Sequence, residues 1–378
     1  MFQSRALQMG SRYKQLMFGE GGFMIMAAQW QIIASTVRGA SHIRTGLPNQ
    51  DALRSPQPSE RGAPIVLAIA DGHGSVKSFR SAVGAQYAVD VAAEVLRGLA
   101  LSAAEVLSVV ADSAKIEEQI ARPIVAKWRD AVGQDLAARP FTEEELLGAS
   151  QHEPGNREVV SANPVIAYGT TVLAALITEA FILYVQLGDG DIVTVSREGV
   201  VTRPLPTDAR LFANETTSLS SSKAWQDFRV GGVPLTNEPP ELILLATDGY
   251  ANSFRTDADF LKVGADYLDL LRTEGVHNVA DTLPDWLEEA SRLGSGDDVT
   301  VDMLYRPTVM DEPLQGPNLE PPALAPTAPA TLDRPLVVEP INTITARTQL
   351  VRSAVVSIVL ALIAMLLLRF LRKKRPGA

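Results

Sequence analysis

Short apolar runs of strand length punctuate the middle of the chain. Residues 65–70 read IVLAIA, 171–177 TVLAALI, 181–187 FILYVQL, 191–195 DIVTV, 241–246 ELILLA and 299–305 VTVDMLY. Gly, Asp or Pro bounds most of them, which is the punctuation expected of strands. The connections after 177 and after 187 are short enough for antiparallel hairpins, whereas parallel neighbours would need longer crossovers. Helical patterns lie between. Residues 78–96 carry Val83, Tyr87, Val91 and Val95 four apart, so these form one apolar stripe. Residues 103–132, 257–271 and 279–293 also read as helices, with Pro284 expected to break the last one near its start. Antiparallel strands joined to long helices predict an α+β fold in which helices cover a sheet or sandwich.

The pattern fails at both ends. Residues 1–29 carry scattered charge and no apolar core long enough for a secretory signal. Patterned sequence begins near Trp30, so Met24 or Met26 would also serve as a start. Residues 307–347 are rich in Pro and Ala and predict an extended linker. Residues 353–368, SAVVSIVLALIAMLLL, carry no charge. Phe370 and Leu371 lengthen the run and Arg369 can snorkel, so 348–372 is expected to be a single transmembrane helix with a basic tail at 373–378. This divides the chain into an N-terminal extension (1–29), a catalytic domain (30–306), the linker, the anchor and the tail. With no leader recognised in 1–29, the catalytic domain is expected in the cytoplasm. The basic cluster beyond the anchor pulls the other way, because positive flanks favour that side.

Composition narrows the chemistry. Of 378 residues, 46% are hydrophobic and 21% charged, an ordinary globular balance. The net charge of -10 argues against a nucleic-acid partner, since phosphate backbones want a basic face. With no cysteine there is no disulfide, no zinc-thiolate site and no thiolate nucleophile.

Acidic turns stand at the strand ends: Asp71-Gly72-His73-Gly74, Gly188-Asp189-Gly190-Asp191, Asp248-Gly249, Gly296-Asp297-Asp298 and, upstream, Asn49-Gln50-Asp51. Each alone reads as a turn. Together, strand ends at one sheet edge would gather carboxylates that repel unless a cation neutralises them. Oxygen ligands without cysteine point to Mg²⁺ or Mn²⁺ rather than zinc.

These motifs, with Tyr168-Gly169-Thr170-Thr171, Leu187-Gly188-Asp189, Ala246-Thr247-Asp248-Gly249 and Gly296-Asp297-Asp298-Val299-Thr300, occur in the order seen in the protein phosphatase 2C family. The resemblance covers residues 30–306. It implies a β-sandwich of two antiparallel sheets flanked by helices, with a two-metal site at one end. Position by position, Asp71 resembles the carboxylate bridging both metals, and the Gly72 carbonyl resembles a ligand of the second. Asp248 and Asp297 resemble the other carboxylates of the first metal. Asp189 resembles the acid of a third, weaker metal. Asp51 resembles an outer acid acting through water, and His73 resembles the general acid. The implied chemistry is hydrolysis of phosphoserine and phosphothreonine by metal-activated water.

There are departures. Gln50 stands where many members carry an acid; it can orient water but adds no charge. The usual phosphate-binding arginine position is Gly46, leaving Arg44, or else His42 or Arg38, for that role. Asp298 replaces a frequent asparagine and is expected to be an outer-shell group. The polar segment 210–228 lies where the family often places a mobile flap. Two functions follow from the resemblance: a protein-serine/threonine phosphatase opposing a kinase, or a catalytically weak phosphatase-like domain that binds phosphoproteins or scaffolds a membrane complex. A small-molecule phosphohydrolase ranks last, because no nucleotide-binding glycine loop appears.

Overall fold

The computed structural model describes residues 30–56, 64–151, 153–206, 217–235 and 239–307. The N-terminal extension, nearly all of the expected linker, the expected membrane helix and the basic tail lie outside the described residues. Among the described residues, no helix is long and apolar enough to cross a membrane.

The strands are β1 (Gln31–Val37), β2 (Ala52–Arg54), β3 (Ile65–Ala70), β4 (Val172–Ile177), β5 (Phe181–Leu187), β6 (Asp191–Val195), β7 (Val201–Thr202), β8 (Arg229–Pro234), β9 (Leu242–Ala246) and β10 (Val299–Tyr305). They form two five-stranded sheets, ordered β1-β10-β9-β6-β7 and β2-β3-β4-β5-β8. Every pairing is antiparallel. The helices are α1 (Ala40–Thr45), α2 (Ser81–Arg97), α3 (Ala103–Val110), α4 (Ser113–Ile116), α5 (Arg122–Ala138), α6 (Glu143–Ser150), α7 (Asn156–Ala162), α8 (Asp248–Ala251), α9 (Asp257–Thr273) and α10 (Val276–Leu293).

Strand alternation builds the layers. On β3, Leu67 and Ile69 face the opposite sheet and pack with Leu173, Tyr184, Ile243, Leu245 and Leu304. The intervening Val66, Ala68 and Ala70 face the other way, toward α2, α3 and α5. On β10, Val299, Val301, Met303 and Tyr305 face α9 and α10, while Leu304 enters the inter-sheet core. Both faces of the inner strands are therefore buried, and most of their positions are apolar, which is why they read as near-continuous runs. At about 1.5–3 kcal/mol for each fully buried aliphatic side chain, these interfaces supply the main stabilisation of the sandwich.

Two sequence expectations are corrected. The helix expected over 103–132 is broken. A capping box at Ser102 and Glu105 starts α3, Asp112 caps α4, and a π-turn at Glu117–Ala121 leads into α5. Helix α10 runs through Pro284 without breaking. Val279, Leu283 and Leu287 are buried on both sides of the proline. Their burial, at about 1.5–3 kcal/mol each, outweighs the proline penalty of about 3 kcal/mol. The expected stripe Val83, Tyr87, Val91 and Val95 does pack on the core, with Val91 and Val95 buried and Val83 and Tyr87 half-buried at its border. The deepest contacts belong to small residues, Gly84, Ala85, Ala88 and Ala92. A Cβ on Gly84 would stand 1.9 Å from the Tyr168 carbonyl oxygen.

Candidate metal centre

The antiparallel registers bring distant sequence to one end of the sandwich. Val37 pairs with Val299, Ala246 with both Val301 and Asp191, Ala52 with Ala70, and Val172 with Leu187. The residues just beyond these pairs are the acidic turns, so Asp51, Asp71, Asp189, Asp248 and Asp297 all emerge at the same end.

Each turn is locked by backbone contacts that require its neighbours. The Asp71 carbonyl accepts from Thr171 N (2.9 Å) and Thr170 Oγ1 (2.7 Å), and Asp71 N donates to Thr171 Oγ1 (2.9 Å). This is the structural use of the Gly-Thr-Thr motif. Gly72 donates to the Gln50 carbonyl, and a Cβ there would lie 2.5 Å from that same oxygen. Gly188, at φ +113°, folds over Thr171 and turns Asp189 toward the site. Asp248 opens α8, where its charge suits the helix N-terminus, and Asn252 Nδ2 donates to its Oδ2 at 3.0 Å. A Cβ on Gly249 would collide with the Asp298 carbonyl oxygen at 2.1 Å, so the turn before β10 and the start of α8 touch through backbone alone.

Asp71, Asp189 and Asp248 are half-buried, and each offers an oxygen such that the three lie within 4.8 Å of one another. Lost hydration, then the charges of Asp51 and Asp248, push the Asp71 carboxyl well above the ordinary range. Lost hydration and then the charge of Asp189 raise Asp248 to about 6. Asp297 adds to the repulsion on both. An all-oxygen donor set under this strain fits a hard divalent ion such as Mg²⁺ or Mn²⁺.

Asp51 sits behind this group. Its Oδ2 accepts from Thr247 Oγ1 (2.8 Å) and Thr300 Oγ1 (2.7 Å), and burial still drives its carboxyl well above the usual value. Neither threonine stands out in the sequence, although both lie inside the acidic motifs, directly after Ala246 and Val299. Gln50 donates through Nε2 to Ser81 Oγ (2.8 Å), while its buried Oε1 has no hydrogen-bond partner. Asp191 is drawn away from the acids by an ion pair with Arg203, which also binds Asp257.

Asp298, expected as an outer-shell group, lies behind the loop that carries His42 and Gln50. It is 4% exposed and organises the upstream loop, accepting from Gly39 N (2.6 Å), Gln50 N (2.6 Å) and His42 Nδ1 (2.9 Å). Arg44 is exposed on α1 and makes no hydrogen bond or ion pair among the described residues, so α1 brings His42 to the acids, and not Arg44.

His73 follows Gly72 and packs against Gly169, its N–H bonded to the Gly169 carbonyl at 3.0 Å. Burial lowers its pKa, and the charge of Asp189 partly restores it. The described part of the polar segment, from Thr217 to Phe228, docks beside it. Leu219 N and Ser218 Oγ donate to the Thr170 carbonyl, and Arg129 on α5 donates to the Ser221 carbonyl.

A family model described as protein phosphatase 2C matches residues 38–288. No curated protein matches the chain significantly. Similar solved structures include the catalytic domain of the serine/threonine phosphatase PstP in complex with two manganese ions, at 18% identity and TM-score 0.44, covering 73% of this chain and 97% of that one. Stp1 from Staphylococcus aureus is 15% identical with TM-score 0.45, covering 76% and 99%. The Mycobacterium tuberculosis phosphatase PstP/Ppp is 17% identical with TM-score 0.42, covering 73% and 98%.

Proposed function

The chain belongs to the protein phosphatase 2C family, and from that premise we propose that it is a metal-dependent phosphatase releasing phosphate from phosphoserine and phosphothreonine in proteins, opposing a kinase. The observation that carries this reading is the convergence of Asp71, Asp189 and Asp248 within 4.8 Å, with Asp297 in electrostatic reach.

In this reading Asp71, Asp248 and Asp297 hold the principal ions, with the Gly72 carbonyl beside them, and Asp189 holds a weaker one. When bound, Mg²⁺ or Mn²⁺ supplies the Lewis acidity that makes water nucleophilic near neutral pH and offsets charge on the phosphoryl oxygens. Asp51, anchored by Thr247 and Thr300, orients solvent from behind. Gln50 Oε1, buried without a partner, serves the same end. His73 gives a proton to the departing serine or threonine oxygen, which is too basic to leave unaided. Its lowered pKa makes it a stronger acid, present in smaller amount at neutral pH. The segment carrying Ser218 and Ser220 closes the side of the site next to His73 and suits contact with the peptide around the phosphorylated residue.

The membrane tether is proposed from sequence alone, on the uncharged run 353–368 and the basic residues after it. The test of function is phosphate release from a phosphoserine peptide by the full chain. Turnover that appears with Mn²⁺ and vanishes with chelator supports the reading. A chain that binds the phosphopeptide without turning it over supports the scaffold instead.

A further inference from the structure

The loop between β1 and β2 is fastened to the turn before β10 by an unusual number of contacts. Ser41 N donates to the Gly296 carbonyl at 2.8 Å. Ala40 N donates to Ser291 Oγ, which donates in turn to the Asp297 carbonyl. A Cβ on Gly39 would fall 2.4 Å from the Asp297 carbonyl carbon. The result is a fixed placement of one side chain, His42, which is 8% exposed.

His42 Nδ1 lies 2.9 Å from Asp298 Oδ2. The Asp298 oxygens also accept backbone N–H groups, Oδ1 from Gly39 and Oδ2 from Gln50, so the carboxylate faces its neighbours as an acceptor. With Asp298 as the acceptor the imidazole donates from Nδ1, and in that tautomer of the neutral ring Nε2 keeps its lone pair. A carboxylate that fixes a histidine tautomer in this way is the arrangement that prepares imidazole to ligate a metal. Nε2 stands 3.9 Å from Asp297 Oδ1. That is too long for a hydrogen bond, and two lone-pair donors face one another across the gap. With bonds of about 2.1 Å to nitrogen and to oxygen, two ligands of one divalent ion stand roughly 3–4 Å apart. The Asp297 side chain is 56% exposed, so the remaining positions are open to water.

We propose that His42 Nε2 is a nitrogen ligand of the divalent ion held at Asp297, with Asp298 as the positioning carboxylate behind it. This rests on the metal-dependent reading above and adds a ligand to it. One imidazole in an otherwise oxygen set favours Mn²⁺ over Mg²⁺, since nitrogen donors suit transition ions better than hard alkaline-earth ions.

The test is pulsed electron paramagnetic resonance of Mn²⁺ on the full chain, comparing wild type, His42→Gln and His73→Gln. A nitrogen hyperfine coupling is expected in wild type and in His73→Gln, and it should be lost in His42→Gln. Calorimetric titration should show His42→Gln weakening Mn²⁺ by about 10–100-fold, with a smaller loss for Mg²⁺. Bound Mn²⁺ with no nitrogen coupling in wild type, or a coupling that survives His42→Gln, overturns the proposal and leaves the metal centre standing. Such a result would suit a histidine that contacts phosphate. Failure of wild type to bind Mn²⁺ at all overturns the metal centre itself. If His42→Gln does not fold, isotopically labelled histidine in the His73→Gln chain asks the same question, and an unchanged spectrum overturns the assignment.

Discussion

Asp302 lies on β10 in the inter-sheet core and is fully buried. Its only described partner is the Ser55 hydroxyl at Oδ2, and Oδ1 has none. Burial raises its carboxyl to about 8 from the ordinary 3.8, with the serine bond lowering it only in part. The sign follows from proton binding. Between these two values the folded state holds a proton that the unfolded state has released. Stability is therefore greatest at low pH, falls as pH rises through this window, and levels off above about 8. At about 1.4 kcal/mol per pH unit, the whole window corresponds to a linkage on the order of 6 kcal/mol, and the part between pH 5 and pH 8 to about 4 kcal/mol. Asp302→Asn keeps the shape and an acceptor for Ser55 but cannot ionise. Urea unfolding of both chains at pH 5 and pH 8, with chelator throughout, cancels the contribution of the metal-site acids. The variant should gain about 4 kcal/mol on wild type between the two pH values. Parallel pH profiles for the two chains would refute the argument that burial keeps this acid neutral.

His73→Ala should slow phosphoserine-peptide hydrolysis by roughly 10²–10⁴-fold but aryl phosphate hydrolysis much less, because a nitrophenolate hardly needs the proton; equal losses on both substrates would remove its role as acid. Gly84→Ala should prevent or severely weaken folding, measured by thermal unfolding, since the added methyl meets the Tyr168 carbonyl at 1.9 Å and backbone cannot step aside cheaply. Truncation after Arg306 should leave a soluble enzyme with cooperative unfolding and unchanged turnover, because β10 ends at Tyr305 with its core contacts complete.

The inner strands were legible because both their faces are buried, and six apolar runs became β3, β4, β5, β6, β9 and β10 with nearly unchanged bounds. The edges were not. β1 reads QIIASTV with only Ile33 and Val37 buried, and β8 reads RVGGVP, where two glycines admit Leu205 and Val106 against the backbone. Neither looks apolar, since an edge strand needs little side-chain burial of its own. At the site, the acids next to glycine were legible because each turn needs a glycine where backbones touch. The support of Asp51 by Thr247 and Thr300 was not, because a threonine in a strand ordinarily reads as β-propensity. His42 was seen only as one of several basic residues. Its placement depends on Asp298, which lies 256 positions away in sequence and gives no local signal.

The central claim is that the gathered carboxylates hold the ions on which phosphate release depends. The most direct measurement is phosphate release from a phosphoserine peptide at saturating Mn²⁺ by wild type, Asp71→Asn and Asp248→Asn, with folding checked for each. Replacing one carboxylate relieves the repulsion seen at Asp71 and Asp248 but removes a charge the ions need. Both variants should therefore remain folded and lose at least about 100-fold in turnover. Folded variants that release phosphate at near wild-type rates would contradict the claim.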